Sequence, residues 1–199
     1  MKRQQILDAA YTVFSRKGYH RATVDEIIAL ADTGKGTVYN YFVNKEQLFY
    51  TLIIERSASF EAGLNATATL TEPSLNKIKK AIKVFLEFYV ANADLWRVLM
   101  HEMRGLGYEE PSSFTEAQRA KYRARFVHTI GLLEKILQEG IEQGSIRQCN
   151  VHKAAHGLFS VIVMMVFQGF VDNHPDSIKE AANSIADIFL YGVAERKAW

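Results

Sequence analysis

The sequence is poor in cysteine, in proline and in long hydrophobic runs. Its single cysteine excludes an intrachain disulfide, and its three prolines leave room for long uninterrupted helices. The most apolar stretch, residues 157–171, is about 15 residues long, whereas a helix that spans a bilayer needs about 20. The N-terminus lacks the apolar segment of a signal peptide. These absences favour a globular cytoplasmic protein over a secreted or a membrane protein.

The sequence also lacks a large excess of either charge, because its 24 basic and 22 acidic residues leave a formal net charge of only +2. Residues 1–50 contain seven basic and five acidic side chains, so the whole excess lies in the first quarter of the chain. A basic N-terminal region has the sign that phosphate binding requires, although two charges alone identify no partner. With 48% hydrophobic and 23% charged residues, the composition is that of an ordinary globular protein.

Hydrophobic residues recur at helical spacing along almost the whole chain, and no segment alternates as a strand does. The first helix is expected to end at Gly18, and Thr23 with Glu26 is a capping box that begins the second. A polar turn at 32–34 precedes a short third helix, and a fourth begins at 44–47 and runs to about residue 63. Helices joined by such a tight turn are typical of a helix-turn-helix unit.

The segment 65–74 is rich in threonine and alanine and is expected to be a linker or a frayed helix end. Five further helices are predicted at 75–91, 94–105, 114–142, 151–172 and 177–195. The sequence therefore predicts an all-α fold of about nine helices. It divides into a helix-turn-helix domain at 1–48 and a larger helical domain at 49–199.

The most informative segment runs from Lys35 to Phe42, with the sequence Lys-Gly-Thr-Val-Tyr-Asn-Tyr-Phe, and is followed by Lys45 and Glu46. With Gly18-Tyr19 and residues 23–27, it resembles the TetR/AcrR family of bacterial transcriptional regulators, over roughly residues 1–50. The resemblance implies that 35–42 is the recognition helix. It further implies a homodimer that binds a palindromic operator in double-stranded DNA, most often as a repressor that responds to a small effector.

The chemistry of this segment agrees with the resemblance. At 100° per residue, Val38 and Phe42 face the core. The residues that face outward are Gly36, Thr37, Tyr39 and Asn40. Glycine permits close approach to DNA, threonine can contact a thymine methyl group, and asparagine can pair with base edges. Lys45, beside the start of the fourth helix, is expected to bind a phosphate. The predicted DNA-binding residues are Thr23, Thr33, Lys35, Gly36, Thr37, Tyr39, Asn40, Tyr41 and Lys45.

Each of these assignments has a plainer alternative. Tyr39 and Tyr41, whose hydroxyls could reach phosphates, could instead be half-buried packing residues. Lys45 could be a solvated surface lysine. Thr23 caps its helix whether or not it also contacts a phosphate.

The turn departs from the family, whose members commonly have glycine, valine and serine or threonine at the positions of Asp32, Thr33 and Gly34. Asp32 puts an acid near the DNA, and Gly34 has no hydroxyl to cap the recognition helix. Thr33 is then the candidate cap. The departure leaves the geometry of the turn open.

The last two predicted helices carry more apolar surface than one small domain would bury, which predicts a dimer interface. Its expected residues are Phe159, Ile162, Met165, Phe170, Ile185 and Phe189. In the family the middle helices enclose an effector pocket, and aromatic residues with methionines suit a small, largely apolar ligand. The candidate pocket residues are Phe85, Phe88, Tyr89, Trp96, Met100, Met103, Tyr122 and Phe126, which could equally be plain core.

Other functions find less support. Cys149, His152 and His156 are spaced so that they could hold a soft metal, but a surface or dimer-helix role is the simpler interpretation, and we predict no metal or cofactor. The sequence contains no Glu-x-x-His pair, no Gly-x-Ser-x-Gly elbow, no phosphate loop and no dinucleotide fingerprint, so an enzyme is not expected. A helical interaction module without DNA binding would explain 151–172 but not 23–48.

Overall fold

The computed structural model describes residues 1–104 and 115–193. All regular secondary structure in these two ranges is helical, which confirms the predicted fold class. The helices are α1 Lys2–Arg21, α2 Val24–Leu30, α3 Lys35–Tyr41, α4 Lys45–Thr69, α5 Ser74–Ala91, α6 Ala93–Arg104, α7 Glu116–Glu142, α8 Val151–Phe167 and α9 Pro175–Tyr191. Within the described ranges, none of them combines the length and the apolar character that crossing a bilayer requires.

Helix α4 runs further than predicted, to Thr69 instead of about residue 63. The prediction was wrong because the threonines satisfy their hydroxyls within the helix. The Thr67 hydroxyl donates to the Gly63 carbonyl at 2.8 Å, and that of Thr69 donates to the Asn65 carbonyl at 3.1 Å. Leu64 and Ala68 are buried, so packing holds a segment of modest helix propensity in the helix.

Helix α8 ends earlier than predicted, at Phe167 instead of residue 172. Gly169 adopts a left-handed conformation with φ of 75°. Its amide donates to the Val166 carbonyl, and the Phe170 amide donates to the Met165 carbonyl, both at 3.0 Å. This pair of hydrogen bonds is a Schellman motif, which terminates a helix.

The chain folds into two compact units. Unit 1 comprises Met1–Ala58 and Asn92–Ala120, and unit 2 comprises Ser59–Ala91 and Lys121–Trp199. The units differ from the predicted division at residue 48, because unit 1 continues into α4 and also includes α6.

Unit 1 is built around α1, which packs against α2, α3 and α6. Helical dihedral angles are interrupted at Gly18, with φ of 76° and ψ of 170°, but α1 continues past it to Arg21, so this glycine kinks the helix where the sequence predicted its end. Beyond the break, the Tyr19 ring returns to the core and packs against Phe14 and Phe49 with ring centroids 5.9 and 5.0 Å away. The break therefore turns the chain towards α2 while it keeps an aromatic anchor.

Unit 2 is organised around α5, which packs against both α8 and α9. Rings from several helices meet there in an aromatic cluster. For example, Phe60 stacks on Phe88 with centroids 4.4 Å apart, and Phe126 meets Phe159 edge to face at 5.0 Å. The cluster comprises Phe60, Phe85, Phe88, Tyr89, Phe126, Phe159 and Phe167.

Candidate nucleic-acid interface

The start of α2 is fixed by the predicted capping box. The Thr23 hydroxyl accepts from the Glu26 amide at 3.3 Å, and the Thr23 amide donates to the Glu26 carboxylate at 3.2 Å. The hydrogen bond from Lys17 to this carboxylate, at 2.5 Å, is the main cause that lowers the pKa of Glu26, and the Thr23 amide adds to it. As the Thr23 hydroxyl acts as an acceptor in this box, its own hydrogen is available to donate outward.

The turn after α2 resolves the departure noted in the sequence. Asp32 has φ of 45°, in the left-handed region that usually requires glycine. Its amide donates to the Ala29 carbonyl, and the Thr33 amide donates to the Ile28 carbonyl, each at 3.3 Å. The turn is thus a Schellman motif with aspartate at the position of the glycine that the family commonly has.

Helix α3 presents the face that its periodicity predicted. Val38 and Phe42 are buried, whereas Gly36 and Asn40 are exposed and Thr37 is half-buried. Tyr39 and Tyr41 retain 43% and 46% of their surface, so each is partly packed against the chain and partly open to a ligand, and both interpretations of these residues stay open. The outward placement is confirmed, whereas contact with DNA stays a prediction.

Two details of α3 bear on how it could approach DNA. A Cβ atom added at Gly36 would meet no described atom within 4 Å, so packing within the chain does not require this glycine. Gly34 is the N-cap, and no side chain caps the helix, so the role expected of Thr33 was wrong. Lys35 pairs with Asp25 at 3.2 Å. Both of these side chains are largely exposed, so their pairing is weak and exchangeable for a phosphate.

Lys45 has different partners from the phosphate that the sequence suggested. Its ammonium donates to the backbone carbonyls of Tyr19, His20 and Ala22, at 2.9, 3.3 and 3.1 Å. It also lies 4.5 Å from the centre of the Tyr19 ring. Burial lowers the pKa of Lys45, and the charge of Glu102 opposes that shift. An ammonium has three N–H bonds, so Lys45 ties the end of α1 to the start of α4 instead of pointing outward.

Helix α4 begins with a second local cap. The Gln47 amide donates to the Asn44 side chain at 2.8 Å, and the Val43 amide donates to the Gln47 side chain at 2.7 Å. The reciprocal bond reaches Val43, one residue before the N-cap position of a standard capping box. The segment between α3 and α4 is therefore held by two hydrogen bonds of its own.

The predicted dimer residues divide into two groups. Ile162 and Ile185 are fully buried within the chain and offer no surface to a partner, whereas Phe159 is half-buried and its ring also belongs to the aromatic cluster. Phe170 is 66% exposed, and Met165 and Phe189 are half-buried.

Sequence reasoning missed the apolar residues of α8 and α9 that are exposed. These are Val161, Met164, Ile188 and Tyr191. Helix α8 is apolar on nearly all sides, so its periodicity alone could not distinguish the outer face from the inner one. The two residues of each pair are three apart and therefore share a helix face, so exposure of one residue would have predicted exposure of the other.

The predicted effector residues belong to both units. Phe85, Phe88, Tyr89 and Phe126 are members of the aromatic cluster of unit 2, and burial raises the pKa of Tyr89. Tyr122 is buried in the same unit. Trp96 and Met100 are half-buried in unit 1, and the side chain of Met103 lies outside the described part of the structure.

The cysteine and histidines that could have held a metal have other surroundings. His152 pairs through Nδ1 with Glu134 at 2.7 Å, and its ring lies 4.5 Å from that of His156. Cys149 is a half-buried free thiol. Among the residues that the structure describes, no group of three His, Cys, Asp or Glu side chains comes together as metal ligands.

Two family models match the chain. Residues 6–51 match the model described as bacterial regulatory proteins, tetR family, and residues 71–193 match a tetracyclin repressor-like C-terminal domain. The chain is 26% identical over 197 residues to the fatty acid metabolism regulator protein of Bacillus subtilis, across 96% of this chain and 95% of that one. It is 27% identical to the transcriptional repressor SCO4008 of Streptomyces coelicolor, across 92% and 94%.

Solved structures share the fold. The transcriptional regulator FadR from Bacillus subtilis, in complex with stearoyl-CoA, superposes with a TM-score of 0.78 at 24% identity, across 96% of this chain and 99% of that one. This likeness covers the helix-turn-helix segment and the C-terminal helices together.

Proposed function

Because the chain belongs to the TetR family of bacterial DNA-binding transcriptional regulators, we propose that it is a ligand-responsive repressor that binds a palindromic operator as a homodimer. It is a regulator of transcription and not an enzyme. Repression is supported by the relative in Streptomyces coelicolor, which is named a transcriptional repressor. Because this protein is proposed to bind chromosomal DNA, we expect it in the cytoplasm.

The outward face of α3 is the observation that carries DNA binding. Val38 and Phe42 anchor the helix, while Gly36, Tyr39 and Asn40 form an exposed surface of small and hydrogen-bonding groups. Such a surface suits the major groove, where asparagine can pair with adenine and tyrosine hydroxyls can reach phosphates. Two copies would read half-sites about 34 Å apart.

Homodimerisation is supported by exposed apolar residues on the last two helices. Val161 and Met164 lie three residues apart on α8, as do Ile188 and Tyr191 on α9, and all four are exposed. A monomer gains nothing from exposing such rows, whereas two copies can pack them together. We place the dimer interface on these four residues and on Phe170.

The effector is proposed to carry a long apolar chain, in the form of a fatty acyl thioester. The relative in Bacillus subtilis is named a fatty acid metabolism regulator, and a structure of that species' FadR contains stearoyl-CoA. Aromatic residues concentrated in unit 2 offer an apolar environment for such a chain. Ligand binding would shift the population of dimers towards a state with lower operator affinity.

The test uses the full-length protein and labelled duplexes tiled across the DNA upstream of its own gene. Fluorescence anisotropy should detect one duplex that is bound with high affinity and released by stearoyl-CoA. Lys79→Ala, a change at an exposed residue of α5, should bind like the original protein. If no duplex binds at low ionic strength, the proposed function fails.

Sedimentation provides the second arm of this test. Met164→Asp should shift the protein from dimer to monomer because it places a charge in the proposed interface. Val127→Asp, at an even more exposed apolar residue of α7, should leave the dimer intact. Dissociation by both variants or by neither would refute the proposed interface.

A further inference from the structure

Unit 1 contains a cleft that DNA reading does not explain. It lies between the end of α1 and helix α6 and has a volume of about 850 Å³. A space of this size holds a nucleotide-sized molecule. The cleft is lined by Lys17, Gly18, Tyr19, His20, Arg21, Arg97, Val98, His101 and Glu102.

Positive charge dominates this lining. Three of its side chains are permanent cations, Lys17, Arg21 and Arg97, and two more are histidines. Among the described residues of the lining, Glu102 is the one carboxylate, and it is 2% exposed and lies 3.5 Å from the His20 ring. A concave surface with this excess of cations attracts anions and concentrates the field on them.

The cations of the cleft remain accessible to solvent. Across residues 1–104 and 115–193, the Arg21 guanidinium forms no ion pair, and its Nε donates only to the Lys17 carbonyl at 3.3 Å. Lys17 and Arg97 pair with Glu26 and Asp94 through side chains that remain solvent-accessible. Exposed pairs of this kind contribute little stability, so a phosphate can replace the carboxylates.

We infer that this cleft binds the phosphate groups of a small phosphate ester of nucleotide size. Two arginines facing one cleft match phosphate oxygens, because the planar guanidinium donates two parallel hydrogen bonds to such groups. Coenzyme A, the anionic part of the proposed effector, belongs to this chemical class. That identification rests on the proposed function, whereas the anion site itself rests on the residues of the cleft.

The same segment connects the cleft to the DNA-reading helix. The carbonyls of Tyr19 and His20, two lining residues, are acceptors of the Lys45 ammonium. Lys45 is the first residue of α4, directly after the short segment that follows α3. A ligand that draws Arg21 into the cleft therefore acts on a segment that positions the start of α4, which gives the effector a path to the recognition helix.

Calorimetry of the full-length protein without DNA tests the inference, with free coenzyme A, stearoyl-CoA and stearate as probes. Arg21→Ala and Arg97→Ala should each weaken binding of free coenzyme A about tenfold, as expected for the loss of one charge-assisted contact. Stearate has no phosphate, so its affinity should not change. Lys79→Ala removes an exposed cation outside the cleft and should bind all three probes normally. Thermal melting of each variant establishes that it is folded.

The outcomes distinguish a failure of the proposed anion site from a failure of the proposed acyl effector. If both arginine variants bind free coenzyme A as the original protein does, or if the original protein does not bind it, the cleft inference is overturned. It is also overturned if Arg21→Ala weakens operator binding alone, since the arginine then serves DNA. If coenzyme A binds and the variants lose it, yet stearoyl-CoA fails to release the operator, the cleft stands and the proposed acyl effector fails.

Discussion

The helix-turn-helix segment of unit 1 and the aromatic cluster of unit 2 are stabilised by different kinds of contact. In the first, side chains bond to backbone groups three or four residues away, as Thr23 does with Glu26 and Asn44 with Gln47. In the second, rings meet that are far apart in sequence, such as Phe85 and Phe159, whose centroids are 6.0 Å apart. The first region fixes backbone direction locally, whereas the second depends on the packing of whole helices.

Because of this difference, the residues proposed for DNA binding and the residues that stabilise the fold are different residues. Tyr39 and Asn40 on the outward face of α3 are exposed, so their removal should cost little folding free energy. Four rings of the cluster, Phe60, Phe85, Phe88 and Tyr89, are buried, so their removal should cost much folding free energy. The variants below test this division, and each should move one property and leave the other.

The largest effect is expected for Phe85→Ala in the centre of the cluster. The ring is fully buried and touches Phe60, Tyr89 and Phe159. Its loss leaves a cavity and should lower the free energy of unfolding by about 4 kcal/mol. Urea titration followed by circular dichroism measures this change. Val127→Ala, at an exposed site, should change it by less than about 0.5 kcal/mol, and equal effects would break the comparison.

The second largest effect is expected on the affinity for the operator and not on the stability of the fold. Asn40→Ala removes an exposed amide of α3, and operator binding should weaken by about 1–3 kcal/mol if this residue pairs with a base. The free energy of unfolding should stay within about 0.5 kcal/mol. Anisotropy and urea titration on the same preparation compare the two. Unchanged operator affinity would remove Asn40 from the interface.

The sequence predicted the helix-turn-helix segment well because its signals are local. The capping residues, the glycine break at Gly18 and the inward pair Val38 and Phe42 each lie within one or two turns of the groups they contact. Prediction failed where partners are distant. Lys45 finds its carbonyls more than twenty residues away, and no nearby residue indicates that it turns inward.

The sequence was equally unable to predict which face of the last two helices is exposed. Ile162 and Val161 are adjacent and similar in chemistry, yet the first is buried and the second is exposed. Only the placement of α5, which packs against α8 and α9, decides between them. The overall fold followed from periodicity, whereas the exposed apolar face of α8 and α9 depends on an arrangement of helices that a single helix does not encode.

Lys45→Ala should affect both the stability of the fold and the affinity for the operator. It leaves the carbonyls of Tyr19, His20 and Ala22 without their ammonium, so the free energy of unfolding should fall by about 1–2 kcal/mol. Operator affinity should fall as well, because the start of α4 is loosened. The salt dependence of operator binding should not change, since no phosphate contact is lost. A slope reduced by about one ion would instead establish Lys45 as a phosphate ligand.

The smallest effect is expected at Asp32, where two variants separate backbone from charge. Asp32→Gly and Asp32→Ala both remove an acid near the DNA-reading helix, so both should raise operator affinity slightly. They should differ in stability, because φ of 45° suits glycine and strains alanine. We expect glycine to add about 0.5 kcal/mol to the free energy of unfolding and alanine to remove about as much. If the two variants melt alike, the left-handed turn is not what limits the stability of this segment, and local geometry matters less there than the capping hydrogen bonds on either side.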